Sequence, residues 1–161
     1  EKELEKVTAK AQRSDTYLDE GKAFNLKPDL WLKTDHKSLI ADTKYKIVYS
    51  DEKDPKKGIS QNDLYQMLAY AVRFEVDEII LFYPNTIKQS QEEETELTIK
   101  DALADGKEIS IRAFQLPIIN RELLESDLEA KTDLSELFES TKQYLKNKIE
   151  KILVPTMYIS H

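Results

Sequence analysis

The chain has 161 residues, 40% apolar and 34% charged, enough to bury a core beneath a polar surface. It has no cysteine and no apolar run approaching the roughly 18 residues of a membrane span, so disulfides, thiolate zinc sites, iron–sulfur clusters and a spanning helix are not expected. The net charge of −7 is unusual for a nucleic-acid binder, but it is unevenly spread: residues 1–75 hold 14 basic and 14 acidic side chains, residues 76–161 hold 10 and 17.

Residues 1–10, EKELEKVTAK, are charged and read as a frayed helix end or the approach to a strand. Residues 7–19 alternate imperfectly and predict a first strand, with Gln12 or Arg13 as candidates to line a site. Gly21 marks a turn before Phe24-Asn25-Leu26.

Residues 28–46, PDLWLKTDHKSLIADTKYK, carry the chemistry. Leu30-Trp31-Leu32 reads as a strand, Asp35 to Ser38 as a tight turn, and Leu39-Ile40-Ala41 as the return strand. Side chains alternate along a strand, so Asp42 and Lys44 project from one face. Asp29, 13 residues before Asp42, is expected to meet them at one sheet edge. Two carboxylates suit a hard divalent ion such as Mg²⁺, which takes one or two of them with water and substrate phosphate. Asp29 and Asp42 are the candidate ligands, with the Thr43 carbonyl as a third. Lys44 only donates as an ammonium and has no place in the metal shell, so its expected role is to orient or deprotonate an attacking water, or to stabilise phosphate charge. Taken alone, an Asp-x-Lys is more often a solvated face with an ion pair worth ~0–1 kcal/mol.

The return strand is expected to continue through Ile47-Val48-Tyr49, with Lys46 pointing the same way as Asp42 and Lys44. Residues 50–58, SDEKDPKKG, read as a loop beside the candidate site, with Lys53, Lys56 and Lys57 as candidates for contact with a phosphate backbone or as solvated charges. Ser60 then starts a helix predicted to reach Phe74, with Ser60 and Asp63 resembling a capping box. Gln61, Tyr65, Leu68 and Val72 share one face of that helix, whereas Gln66 and Tyr70 lie on another. Only one Gln–Tyr pair can face the site. Gln61 is near the helix N-terminus, where free N–H groups favour phosphate.

Residues 76–83 contain the apolar run Ile79 to Phe82, expected to be a central strand reached by a crossover from the strand of Asp42. Residues 89–96, QSQEEETE, read as an acidic linker, and Leu97-Thr98-Ile99 with Ile109 to Phe114 as an antiparallel pair around Asp105-Gly106. Leu134, Leu137, Phe138, Thr141, Leu145, Ile149 and Ile152 have helical spacing, so residues 133–153 predict an amphipathic helix whose stripe packs on the core.

Pro28-Asp29 followed by Asp42-Thr43-Lys44 resembles the PD-(D/E)xK nuclease signature. With ISQNDLYQMLAYA at 59–71 and LFYP at 81–84, the chain resembles the McrC family of the McrBC 5-methylcytosine restriction system, densely over about residues 26–84. The resemblance implies a restriction-endonuclease-like α/β core, a mixed central sheet of about five or six strands flanked by helices, in a single nuclease domain spanning 1–161. That domain is expected to be a fragment of a longer chain that lacks its N-terminal part. It also implies Mg²⁺-dependent hydrolysis of DNA phosphodiesters (Mn²⁺ substituting), an AAA+ GTPase partner, DNA as substrate, no membrane, and a cytoplasmic location. Asp29, Asp42 and Lys44 match the signature. Gln66 and Tyr70 match the Q-x-x-x-Y of RecB-like members, as do Gln61 and Tyr65, and the resemblance favours the former pair. A glutamate on an upstream helix is also implied, for which Glu3 and Glu5 are the early candidates, although solvated charges are the expected reading. The alternatives are a catalytically silent coupling subunit and a RecB-like repair exonuclease domain.

Overall fold

The computed structural model describes residues 8–34, 37–45, 56, 59–85, 94–101, 106–117 and 134–158. Glu3, Glu5, Lys46, the expected strand at 47–49, Lys53 and Lys57 lie outside the described residues. The elements are β1 (Thr8–Ala11), β2 (Thr16–Tyr17), β3 (Asn25–Leu26), β4 (Leu30–Lys33), β5 (Ser38–Thr43), α1 (Gln61–Phe74), β6 (Glu78–Asn85), β7 (Glu94–Asp101), β8 (Lys107–Pro117) and α2 (Leu134–Tyr158).

Six strands form one mixed sheet in the order β1-β4-β5-β6-β8-β7, and β2 pairs with β3 separately. The hairpin β4–β5 is antiparallel with Leu30 opposite Ala41. β5 and β6 run parallel with Asp42 beside Leu81, and β6 and β8 run parallel with Tyr83 beside Gln115. β7 returns antiparallel along β8. The chain is therefore mixed α/β, with a six-stranded sheet flanked by helices, compatible with a restriction-endonuclease-like fold.

Period-two alternation divides the sheet into two apolar faces. Ile40, Ile79, Leu81, Tyr83 and Ile111 pack with Met67, Tyr70 and Ala71 of α1. Leu39, Ala41, Ile80, Phe82 and Phe114 pack with Ile152 of α2. Leu39, Ile40, Ile79, Ile80, Leu81 and Ile111 are fully shielded, and each contributes about 1.5–3 kcal/mol by burial. Asp42 belongs to the same alternating set as Ile40, which places it on the α1 side.

Several boundaries differ from expectation. The first strand is broken, because Gln12 adopts φ 46°, a left-handed conformation that ends β1. Arg13 does not line the site: its guanidinium lies 4.8 Å from the Trp31 ring and 5.3 Å from the Phe74 ring, and pairs with Asp15 at 2.6 Å. β5 stops at Thr43, and it lies inside the sheet, so the acidic residues gather at a strand end and not at a sheet edge. Glu94 to Glu96, expected in a linker, already pair with β8. Ser110 there donates to Glu96 at 3.2 Å. Gly106 takes the positive φ of 78° that the turn before β8 requires. α2 runs on to Tyr158, and Phe138 of its expected core stripe is 66% exposed. Thr141 and Ile152 of that stripe are buried.

Candidate functional site

The hairpin turn returns the chain so that Asp29, just before β4, meets the end of β5. The Asp29 backbone N–H donates to Asp42 Oδ1 at 3.2 Å. The Thr43 N–H donates to Asp29 Oδ2 at 2.8 Å, and the Thr43 hydroxyl donates to the same oxygen. Asp29 is thereby fixed by two donors from β5, and its own N–H fixes Asp42 in return. The Asp29 carbonyl accepts from the Gln12 N–H at 2.9 Å, which ties the end of β1 to the same corner.

Asp42 is only 4% exposed, so its carboxylate needs compensation. Lys44 supplies it, with Nζ at 2.5 Å from Asp42 Oδ2. Lys44 Nζ also donates to Gln66 Oε1 on α1 at 2.6 Å. Gln66 Nε2 in turn donates to the Tyr70 hydroxyl at 2.9 Å. One chain of contacts thus runs from Asp29 through Asp42, Lys44 and Gln66 to Tyr70. Burial, with the nearby negative charge of Asp42 second, raises the Tyr70 phenol above its usual value and keeps it protonated.

Helix α1 presents Gln66 because its start is well set. Ser60 is the N-cap, and its hydroxyl accepts from the Asp63 N–H at 3.2 Å. Glu75 ends the helix in a left-handed conformation, φ 55°, and its N–H reaches the Ala71 carbonyl. Met67, Tyr70 and Ala71 face the core, which places Gln66 at the border of the buried face. Gln61 instead donates to Tyr65, and Tyr65 is 58% exposed, so this second Gln–Tyr pair occupies the outer face.

Against this geometry, the family model described as the McrBC 5-methylcytosine restriction system component matches residues 1–84, or 84 of 161 residues. The chain belongs to this family. No curated protein matches it. The match covers every residue of the Asp29–Tyr70 contact chain in this McrBC component. It leaves β7, β8 and α2 outside.

The McrBC component brings together Asp29, Asp42, Thr43, Lys44, Gln66 and Tyr70, and sets Gln61 and Tyr65 apart. Among the described residues no group of three or more His, Cys, Asp and Glu side chains is arranged to hold a metal ion. The acidic donor set is therefore the pair Asp29 and Asp42. Two carboxylates are within the number that a Mg²⁺ site takes alongside water and phosphate, and here the Asp29 backbone N–H holds the Asp42 carboxylate while Thr43 holds that of Asp29.

Two contributions escaped the sequence reading. Thr43 enters through its N–H and hydroxyl on Asp29, beside the carbonyl expected of it. Asp63, read only as part of a helix cap, is 6% exposed, and its carboxylate Oδ2 accepts from the Tyr83 hydroxyl at 3.3 Å. The signal was an acidic residue three positions before Gln66, but it is identical to an ordinary first-turn aspartate.

Proposed function

We propose that this McrBC component is the DNA-cutting subunit of a modification-dependent restriction system, a Mg²⁺-dependent deoxyribonuclease that works with an AAA+ GTPase. The observation that carries the reading is the placement of Lys44 between Asp42 and Gln66, beside the N–H-linked Asp29. Asp29 and Asp42 would hold the ion, with the Thr43 carbonyl as the third protein oxygen. A divalent ion held there supplies Lewis-acid polarisation of a phosphoryl oxygen. Thr43 keeps Asp29 turned toward the site. Lys44 meets two acceptors, so it works as a donor. Two of the three ammonium hydrogens are engaged, and the third is directed at a phosphate oxygen as charge builds there. That arrangement favours charge stabilisation by Lys44 over proton abstraction. Gln66 and Tyr70 restrict where the ammonium sits.

The candidate site residues fall in the neutral half of the sequence, so the excess of negative charge is not carried by the segments that supply them. Net charge still argues that a partner supplies much of the DNA affinity. The test is cleavage of methylated DNA by the chain together with its GTPase. Asp42→Ala and Lys44→Ala are each expected to lose at least about a hundredfold in rate. Cutting at the wild-type rate by either variant contradicts the assignment. A silent wild type that nevertheless stimulates the GTPase would favour the coupling-subunit reading.

A further inference from the structure

We propose that Asp63 and Tyr83 are positioning residues that set the height of the Lys44 ammonium over Asp42. Its consequence for hydrolysis rests on the reading above. The coupling itself rests on geometry alone.

A buried carboxylate is costly unless compensated. Asp63 lies on the buried face of α1 with Met67, Tyr70 and Ala71, where an apolar side chain would pack without that cost. The helix N-terminus offsets part of its charge. Its carboxylate accepts from Tyr83, which is 2% exposed and projects from β6. Burial, and the charge of Asp63 after it, push the Tyr83 phenol upward, so the hydroxyl stays a donor. The first turn of α1 is thereby pinned to one residue of β6.

The same place on β6 also holds Lys44. The Lys44 backbone N–H donates to the Phe82 carbonyl at 2.8 Å, one residue before Tyr83. Gln66 lies three residues after Asp63, less than one turn along α1, a rise of about 4.5 Å. Its Oε1 takes the Lys44 ammonium at 2.6 Å. The contacts close a ring: Phe82 to the Lys44 backbone, Lys44 Nζ to Gln66, along α1 to Asp63, and back through Tyr83. Opening the ring at Tyr83–Asp63 frees α1 to shift on the sheet and carries Gln66 away from Lys44. At 3.3 Å between a phenol and a carboxylate, the bond is long, so its main effect falls on placement.

The test is NMR of the full chain, following the Lys44 ammonium, assigned by its loss in Lys44→Arg, and the Gln66 side-chain amide. In the wild type the Lys44 ammonium hydrogens are expected to exchange slowly enough to be seen. Tyr83→Phe and Asp63→Leu are expected to broaden the ammonium signal or move it toward that of a free lysine, and to shift the Gln66 amide. Asp63→Asn keeps an acceptor for Tyr83 and is expected to leave both signals in place. Ile152→Val, a core change on the opposite face of the sheet, is the control for destabilisation and is expected to move neither. Lys44 and Gln66 signals unchanged in both Tyr83→Phe and Asp63→Leu would overturn the proposal, as would a wild-type Lys44 ammonium that exchanges like a surface lysine. DNA cutting by Lys44→Ala at the wild-type rate would instead reject the hydrolytic reading and leave the coupling standing.

Discussion

Asp42 and Lys44 depend on each other because both are withdrawn from water. Their side chains are 6% and 11% exposed, and the ammonium also has Gln66 as a partner. Removing one member of such a pair strands the other. Lys44→Ala is therefore expected to lower stability by about 3 kcal/mol in urea denaturation, more than an exposed lysine would. A loss below about 0.5 kcal/mol would mean that Asp42 is well solvated. Tyr83 yields a second expectation at this scale. Its folded phenol titrates above the ordinary value of about 10, so the folded state holds its proton more tightly than the unfolded chain. That contribution is complete below about pH 10 and is lost as pH rises toward the folded value. Thermal melts of Tyr83→Phe should show a shallower decline above about pH 10 than those of the wild type. Parallel declines would contradict the assignment.

At the scale of elements, the helix that carries Gln66 is set by its cap and by the strands beneath it. Ser60→Ala removes the acceptor for the Asp63 N–H and is expected to cost about 1 kcal/mol, read from urea midpoints, while the fold is retained. Gln115 on β8 is 6% exposed, and its Oε1 is, among the described residues, a buried oxygen without a hydrogen-bond partner. Gln115→Met is therefore expected to be neutral or stabilising, because a buried acceptor without a partner is removed. The hairpin, α1 and the central strand were legible because each carries strong local signals. These are the alternation of Leu30 to Ala41, the cap at Ser60 with the helical period after it, and the apolar run at Ile79 to Phe82. β1 was not, since the left-handed turn at Gln12 has no glycine or asparagine to announce it. The start of β7 was hidden for a different reason. Glu94 to Glu96 look like a linker, and only pairing with β8 makes them strand. Within the site, Asp29, Asp42 and Lys44 stood out by spacing. The choice between Gln66 and Gln61 depended on how α1 is rotated on the sheet, which packing of Met67 and Tyr70 decides.

For the whole molecule, charge and architecture divide along the chain. The family match ends at residue 84, within β6, and the neutral half ends a few residues earlier. No helix among the described residues is long and apolar enough to cross a membrane. β8 and β7 complete the sheet beyond the site, while α2 covers the face opposite α1 through Ile152, and its Lys148 donates to the Gln115 carbonyl at 2.7 Å. The 14 basic side chains of residues 1–75 are matched there by 14 acidic ones, and residues 76–161 add an acidic excess, so the chain has no net positive charge with which to hold DNA. Binding of the isolated chain to duplex DNA is therefore expected to be weak, with a log–log salt slope of about −3 or shallower by fluorescence anisotropy, corresponding to about three phosphate contacts. A slope of about −6 or steeper would show a DNA surface that needs no partner.

The account rests most heavily on Asp29 and Asp42 forming one divalent-cation site. Calorimetric titration with Mn²⁺ tests this most directly, on the wild type and on Asp29→Ala and Asp42→Ala, with folding checked by circular dichroism. The account predicts binding to the wild type that disappears in both folded variants. A wild type that does not bind, or binding that survives both substitutions, would contradict it.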